Sequence, residues 1–255
     1  SLCYKKLNMS KKDLSVLNLK NKASLTYLNF KSCLKKCIKK KIFLVAVSGG
    51  PDSLALTALS QIYSKEQRNK IFFVLIDHGI RSNSSKESKS VKSLLKKKKI
   101  NLIILKNKKK INKNIQSQAR DVRYRLLLNF CNKNKIKFIL TGHHRDDQIE
   151  TFLIRLSRGS GIQGLSSMKK VSSLSNNIKL IRPLLDEKKK DLFVFAKQYF
   201  GKIFKDPSNN NQKYLRTKIR GLIKQFEKNG IKPERIISSI NNLGITRDTL
   251  NSYIL

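Results

Sequence analysis

Short apolar runs alternate with segments of helical periodicity along most of this chain. Five runs of strand length are apolar at most positions, as expected of strands that are buried on both faces. They occupy residues 42–47, 71–76, 102–105, 136–141 and 178–181. Between and after them, apolar residues recur at helical spacing, beginning with Leu56, Leu59 and Tyr63. The pattern therefore predicts alternating strands and helices.

Such an alternation is typical of an α/β fold with a doubly wound parallel sheet, in which ligands bind at the carboxyl ends of the strands. We divide the chain into a basic N-terminal helical extension over residues 1–40, a central domain over 41–211 and a short helical segment over 212–255. In the extension, Leu28, Cys33 and Cys37 are available for burial against the central domain.

The charge of the chain points to a polyanionic partner. The 255 residues include 56 Lys and Arg but 16 Asp and Glu, which gives a formal net charge of +40. With 39% hydrophobic residues, the composition differs from that of a disordered basic tail. Charge alone does not name the chemistry, since a ribosomal protein, a tRNA enzyme or a membrane-surface binder could carry it.

Membrane insertion and a structural zinc site are both disfavoured. The apolar runs fall well short of the ~18 residues needed to span a bilayer, and the first residues lack a signal-type apolar segment. We therefore expect a soluble, cytoplasmic protein with no membrane partner. The four cysteines form no C-x-x-C pair, so we interpret them as free thiols rather than zinc ligands.

A glycine-rich loop follows the first predicted strand, with the sequence Ser-Gly-Gly-Pro-Asp-Ser at residues 48–53. Free N–H groups at the start of a helix favour an anion there. A turn with an Asp helix cap is the simpler alternative. The loop lacks the Lys of a Walker A motif and resembles the signature of the PP-loop ATP pyrophosphatases. That resemblance implies that the loop, which includes Pro51, binds ATP: Ser48, Gly49, Gly50 and Ser53 would contact the phosphates, and Asp52 would hold a Mg²⁺ that bridges them.

A second polar cluster follows the fourth predicted strand. His143 and Asp147 are four residues apart, and Asp147 and Glu150 are three apart, so an imidazole and carboxylates share one surface near the loop. Several carboxylates around one point suit Mg²⁺ or an ammonium group. Acidic residues that merely complement the helix dipole are the alternative for this cluster taken alone.

Further blocks extend the resemblance to one family of PP-loop enzymes. They are Asp-His-Gly-Ile-Arg at 77–81, Gln-Ala-Arg-Asp-Val-Arg-Tyr at 118–124, Arg-Gly-Ser-Gly-Ile-Gln-Gly-Leu at 158–165, Arg-Pro-Leu-Leu at 182–185 and Asp-Pro-Ser-Asn at 206–209. Together with the two clusters above, their order and spacing over residues 43–220 closely resemble the tRNA(Ile)-lysidine synthetase family.

The resemblance implies a two-step reaction on the wobble cytidine of a tRNA(Ile) with a CAU anticodon. ATP first adenylates the C2 oxygen and releases pyrophosphate. The ε-amine of free L-lysine then attacks C2 and expels AMP, leaving lysidine. ATP and Mg²⁺ are the implied cofactors, and a carboxylate or a water takes the proton of the amine.

The same resemblance assigns roles to individual residues. Catalysis falls to Asp52, Arg120, Asp146, Asp147 and Glu150. Nucleotide binding adds Asp77, Arg120, Arg123 and Gly142 to the loop. Substrate binding involves His143, Asp147, Glu150, Arg182, Arg216 and Arg220, and Mg²⁺ is held by Asp52 and Asp147. For each of the last three arginines, surface salt bridging is as good an interpretation.

Three other functions compete with this one. A PP-loop tRNA thiolase would use the same loop, but its usual paired cysteines are missing. A small-molecule amidating synthetase would leave the charge unexplained. A non-catalytic RNA-binding module would gain nothing from carboxylates that face a polyanion. Only about 35 residues follow Arg220, whereas larger family members carry C-terminal tRNA-binding domains, so we expect a shortened form.

Overall fold

A six-stranded sheet forms the centre of the computed structural model, which describes residues 21–38, 42–80, 82–108, 115–166, 168–204 and 215–254. The strands are β1 (Ile42–Val47), β2 (Lys70–Asp77), β3 (Leu102–Lys106), β4 (Phe138–Leu140), β5 (Val171–Ser175) and β6 (Ile178–Ile181). The helices are α1 (Asn21–Cys37), α2 (Pro51–Gln67), α3 (Ser84–Lys96), α4 (Ile115–Lys133), α5 (Arg145–Leu156), α6 (Ile162–Leu165), α7 (Lys189–Phe200), α8 (Leu215–Lys228) and α9 (Pro233–Ile254).

The strand order is β3-β2-β1-β4-β6-β5, and the pairings from β3 through β6 are all parallel. The prediction of a doubly wound α/β fold is confirmed. Strand β5 was not predicted, and it pairs antiparallel with β6 at the edge of the sheet. Its serine-rich sequence lacks the apolar run that marks a strand buried on both faces. The order reverses between β1 and β4, whose carboxyl ends therefore lie side by side at the switch point.

Alternate residues of each strand face opposite layers of helices, because the side chains of a strand alternate between its two faces. Phe43 and Val45 of β1 face α1, α2, α3 and α7, whereas Leu44 packs with Leu127 and Cys131 of α4. Both faces of the sheet are thus covered, which accounts for the continuous apolar runs of the central strands.

The buried face of α1 differs from the prediction. Tyr27, Phe30 and Leu34 are its fully buried side chains, whereas Leu28 is 38% exposed. Cys33 and Cys37 are half-buried free thiols. Both aromatic residues fill space above α2, and Phe30 meets Tyr63 edge to face with ring centroids 6.0 Å apart. Tyr27, Phe30 and Leu34, rather than Leu28, therefore take the core positions.

The C-terminal helices pack on α5 through a third apolar cluster. Ile149 and Leu153 of α5 meet Ile219 of α8 and Ile240 of α9. This contact brings α8 to the same end of the sheet as the start of α5. The domain boundary predicted at residue 211 lies within residues 205–214, which are outside the described residues.

Within the described ranges, no helix is both long and apolar enough to cross a membrane.

Candidate active site

The glycine-rich loop between β1 and α2 is organised around the hydroxyl of Ser53. The N–H groups of Ser48 and Gly49 each donate to Ser53 Oγ at 3.1 Å, and Ser53 Oγ lies 3.0 Å from the carbonyl oxygen of Gly50. Pro51 occupies the first turn of α2, where its fixed φ suits a helix start. These bonds hold the loop in a tight turn at the helix N-terminus.

Two glycines allow the loop to pack closely. Gly49 has a φ of +87°, and a Cβ there would lie 2.7 Å from Val91 Cγ2 of α3. A Cβ on Gly142, which follows β4, would lie 3.0 Å from the carbonyl oxygen of Asp52. The loops after β1 and β4 are therefore in direct contact across the switch point.

A cavity of about 760 Å³ opens beside this contact, within the ~300–1,000 Å³ typical of small-molecule sites. Residues from the first turns of α2, α3, α4, α5 and α8 line it. The N-terminal ends of these helices, as the structure describes them, thus face one volume, and their dipoles make it attractive to an anion.

Arginines strengthen the positive potential of this cavity. Arg120 and Arg123 of α4 and Arg216 and Arg220 of α8 line it. The side chain of Arg120 also stacks over the Tyr124 ring, 5.0 Å from its centroid. Burial, together with Arg120 and Arg216, lowers the pKa of the Arg123 guanidinium. A cavity with this many fixed cations suits a polyphosphate.

The two histidines that line the cavity are neutral near pH 7. Burial lowers the pKa of His143 to about 4, and the neighbouring arginines add to this effect although Asp147 opposes it. Burial and Arg123 likewise lower the pKa of His78 to about 4. His143 Nδ1 lies 2.9 Å from the Thr141 hydroxyl, which fixes its ring against the end of β4.

Asp52 and Asp147 approach each other around a third histidine. The Nε2 atom of His144 lies 3.5 Å from Asp52 Oδ2 and 3.5 Å from Asp147 Oδ2. Burial opposes the charged form of His144, but Asp52, Asp147 and Asp146 outweigh it and raise the pKa of the imidazole. Asp52 Oδ1 is buried and has no hydrogen-bond partner among the described residues. Both carboxylates line the cavity.

Asp77 lines the cavity at the end of β2, but both of its carboxylate oxygens accept hydrogen bonds from nearby residues. Its oxygens accept hydrogen bonds from the Gly79 N–H at 3.1 Å and the Ser85 hydroxyl at 2.9 Å. Burial works against its charge, yet these bonds lower the pKa of Asp77 overall. The residue thereby shapes the loop that leads into α3.

Two of the predicted residues, Glu150 and Arg182, do not line the cavity, and their side chains are hydrogen-bonded to other parts of the chain. Glu150 is 2% exposed and accepts two hydrogen bonds from Arg220, at 2.6 Å from Nε and 3.3 Å from Nη2. Arg182 donates from Nη1 to the Lys169 carbonyl oxygen at 2.7 Å and to the Ser172 hydroxyl at 3.0 Å. Glu150 therefore acts on the cavity through Arg220, and Arg182 ties β6 to β5.

The structure thus brings most of the predicted residues to one cavity. The predicted residues that line it are Ser48, Asp52, Ser53, Asp77, Arg120, Arg123, Gly142, His143, Asp147, Arg216 and Arg220. Gly49, Gly50 and Pro51 form the backbone of the loop behind it. Asp146 lies in the first turn of α5, and Glu150 and Arg182 are placed as described above.

Sequence reasoning missed His144 and His78. His144 stands inside the second cluster, where its neighbour His143 was chosen instead. A usable signal was its position directly before α5, because the residue that precedes a helix faces the same loop end as the first turn. His78 belongs to the block after β2, where the carboxyl end of a central strand already marks a ligand site.

Among the described residues, no three His, Cys, Asp or Glu side chains form a ready metal-binding group. Mg²⁺ is commonly held by one or two carboxylates together with phosphate oxygens and water, and it does not require a full protein cage. Asp52 and Asp147, with the unpartnered Asp52 Oδ1, fit that pattern.

A family model described as the PP-loop domain matches residues 23–226, so the chain belongs to the PP-loop domain family. Curated proteins similar to it are tRNA(Ile)-lysidine synthases. The one from Orientia tsutsugamushi is 41% identical over 219 residues, which cover 83% of this chain and 49% of the relative. The one from Wolbachia pipientis wMel is 43% identical over 195 residues, covering 75% and 45%. The chain therefore spans about half the length of the curated relatives it matches.

A solved structure supports the fold. The U34-tRNA thiolase NcsA from Methanococcus maripaludis, determined with its 4Fe-4S cluster, aligns with a TM-score of 0.72. The alignment covers 87% of this chain and 77% of the thiolase at 18% sequence identity. At that identity the similarity concerns the fold alone.

Proposed function

We propose that this chain is the catalytic part of a tRNA(Ile)-lysidine synthase. In this proposal it joins L-lysine to C2 of the wobble cytidine of a CAU-anticodon tRNA(Ile), using ATP. The main support is that Asp52 and Asp147, each 3.5 Å from His144 Nε2 at the switch point, line the same cavity as four arginines. Family membership and the similarity to lysidine synthases support the same assignment.

ATP is the nucleotide that the cavity suits. Its triphosphate would lie against the 48–53 loop, where backbone N–H groups and the N-terminus of α2 favour an anion. Arg120, Arg123 and Arg216 would offset the charge that builds on the α-phosphate as the cytidine C2 oxygen attacks it. Pyrophosphate then leaves, and the cytidine carries AMP on that oxygen.

Asp52 and Asp147 are the residues proposed to hold Mg²⁺ against the phosphates. A bound Mg²⁺ would neutralise charge on the triphosphate and fix its orientation for attack. The unpartnered Asp52 Oδ1 leaves a lone pair for this role without breaking a hydrogen bond.

The lysine would enter with its ammonium group towards the acidic residues of α5. Asp147 lines the cavity and Asp146 lies in the same turn, so both are proposed to orient the amine. Glu150 would contribute by holding Arg220 at the cavity wall. When the amine attacks C2, its proton passes to a carboxylate or to water, and AMP departs with the former C2 oxygen.

Residues 41–211 are assigned to the PP-loop catalytic domain, 1–40 to the basic N-terminal extension and 212–255 to tRNA contact. Arg216 and Arg220 of α8 are then placed to meet either tRNA phosphate or the lysine substrate. A tRNA substrate agrees with the expected cytoplasmic location. Arg182, bonded to β5, is proposed to support the substrate side of the site from behind.

The thiolase alternative lacks support from the cavity. Cys33 and Cys37 pack against the core from α1, and Cys131 is buried on α4. No cysteine of the described residues lines the cavity. Burial raises the pKa of the Cys131 thiol to about 12, which disfavours the thiolate needed for sulfur transfer or cluster binding.

The direct test is lysine transfer. The protein is incubated with Mg-ATP, labelled lysine and a CAU-anticodon tRNA(Ile) transcript, and label in the RNA is followed. Label that requires ATP and the wobble cytidine, and that Asp52→Asn abolishes, is the expected result. Conversion of ATP to AMP and pyrophosphate without label would move the search to another acceptor. Binding of tRNA with no use of ATP would favour an RNA-binding module.

A further inference from the structure

His144 joins the two loops that meet at the switch point. It lies directly before α5, after β4, and is 2% exposed. Its Nε2 is equidistant from a carboxylate oxygen of α2 and one of α5, at 3.5 Å from each. One ring nitrogen therefore faces both carboxylates that are proposed to hold Mg²⁺.

The same residue also fixes Asp147 through its backbone. The N–H of His144 donates to Asp147 Oδ2 at 3.1 Å. Asp147 is thereby held from two directions by one residue, whereas Asp52 Oδ1 has no hydrogen-bond partner within the part of the chain that the structure describes. His144 Nε2 contacts the other oxygen of Asp52, and Arg220 adds an electrostatic attraction to both carboxylates.

His144 stands behind the cavity wall. Asp52, Asp147 and the neighbouring His143 line the cavity, but His144 does not. A bound nucleotide would therefore touch the two carboxylates and leave the imidazole covered. This placement separates the role of His144 from that of residues that contact substrate.

We propose that His144 is a positioning residue, which sets the separation and orientation of the Asp52 and Asp147 carboxylates for a divalent cation carried by ATP. The inference rests on the ATP and Mg²⁺ part of the proposed function. Without a donor between them, the repulsion between the two like charges is offset less well, although Arg220 still attracts both, so we expect their separation and orientation to change. The residues that orient metal ligands typically contribute about 10- to 100-fold in metal affinity.

The test compares His144→Leu, which has no donor, with His144→Gln, which keeps one N–H. Mn²⁺ serves as the probe, and its binding to protein with ATP is measured by electron paramagnetic resonance. We expect His144→Leu to weaken Mn²⁺ binding by about 10- to 100-fold and His144→Gln to recover about a third to a half of that loss on a logarithmic scale. ATP binding in EDTA should change by less than about 2-fold in both variants, because the arginines and the loop are intact.

Several outcomes would overturn the proposal. Unchanged Mn²⁺ affinity in His144→Leu is one, and equal damage in the Leu and Gln variants is another. A matching loss of ATP binding in EDTA would indicate a general structural role. If His144→Leu does not fold, the comparison of His144→Gln with the parent decides, with at least about a 3-fold loss of Mn²⁺ affinity expected.

Pyrophosphate release supplies a second readout. His144→Leu should raise the Mg²⁺ concentration for half-maximal rate while leaving the KM for tRNA unchanged. The inference and the proposed function can fail separately. A parent protein that binds Mn²⁺ and ATP but transfers no lysine contradicts the function and leaves the positioning role intact.

Discussion

The buried ion pair between Glu150 and Arg220 allows a quantitative prediction about how α8 is held against the active site. Glu150 is nearly inaccessible, with 3% of its side chain exposed, whereas 29% of the Arg220 side chain is exposed. Two hydrogen bonds join them, and burial of an unpaired charge is what makes the loss of one partner costly. The two single substitutions should therefore differ in cost.

Arg220→Met leaves a carboxylate in the interior without its cation. Removal of one partner of a fully buried pair costs about 3–5 kcal/mol, and the partial exposure of Arg220 reduces this to about 3 kcal/mol. Glu150→Gln leaves a guanidinium that can reach water and an amide that can still accept a hydrogen bond, so about 1 kcal/mol is expected. In the double variant the unpaired charge is gone, and the cost should fall about 1–2 kcal/mol short of the sum.

Urea unfolding of the parent, both single variants and the double variant gives the four free energies of unfolding. Asp186→Asn is a matched control, because its pair with Lys170 is exposed and should contribute less than about 1 kcal/mol. Additivity of the two substitutions within about 0.5 kcal/mol would refute the coupling. A smaller cost for Arg220→Met than for Glu150→Gln would refute the assignment of the buried charge to Glu150.

Three further predictions concern the nucleotide, the RNA and the pH dependence of stability. Gly142→Ala should weaken ATP binding by about 10-fold or more, measured by calorimetry, because its Cβ would lie 3.0 Å from the Asp52 carbonyl oxygen. The logarithm of tRNA affinity should fall with the logarithm of salt with a slope steeper than about −4, if about six phosphates of a largely single-stranded contact are bound. Reversal of three exposed lysines of α8 to Glu should weaken tRNA binding by at least about 10-fold and reduce the slope by about 2. These lysines are Lys218, Lys224 and Lys228. The folded-state pKa of His143, about 4, lies below its ordinary value, so its stabilisation is present above about pH 6.5 and is lost as the pH falls towards 4. His143→Gln should consequently lose less stability than the parent over that window in thermal unfolding, by on the order of 2 kcal/mol.

Each of these predictions has a control within the chain. Gly161→Ala should leave ATP affinity unchanged, because a Cβ there would have no atom of the described residues within 4 Å. The same charge reversal on α3 should cost tRNA affinity less than on α8, and equal losses would contradict a specific contact at the C-terminal helices. The α3 lysines for this purpose are Lys89, Lys92 and Lys96. Parallel pH profiles for the parent and His143→Gln would show that the imidazole is not held neutral.

Much of the fold follows from local sequence. A strand covered on both faces is apolar at nearly every position, so β1 and β2 are easily recognised among the polar segments around them. The loop at 48–53 directly follows β1 and could therefore be placed at a strand end. Edge strand β5 has no such requirement, and its serine-rich sequence gave no signal. On α1, the choice between Leu28 and the pair Tyr27 and Phe30 depended on which side chains fill the space above α2.

The candidate site also has features that the sequence predicted and features that only the structure revealed. The sequence alone determined the chemical types and their order: a phosphate loop, a histidine and carboxylate cluster, and arginines on two helices. The loop and the cluster could be predicted because each follows a strand end, whereas the arginines were selected by the resemblance to a family. The local pattern contains no information about partners distant in sequence. Only the tertiary structure decided that Glu150 is neutralised by Arg220, 70 residues away, and that His144 faces Asp52 across the switch point. Those pairings arise because β1 lies beside β4 and α8 packs on α5, and both arrangements depend on burial of apolar surface far from the charged groups themselves.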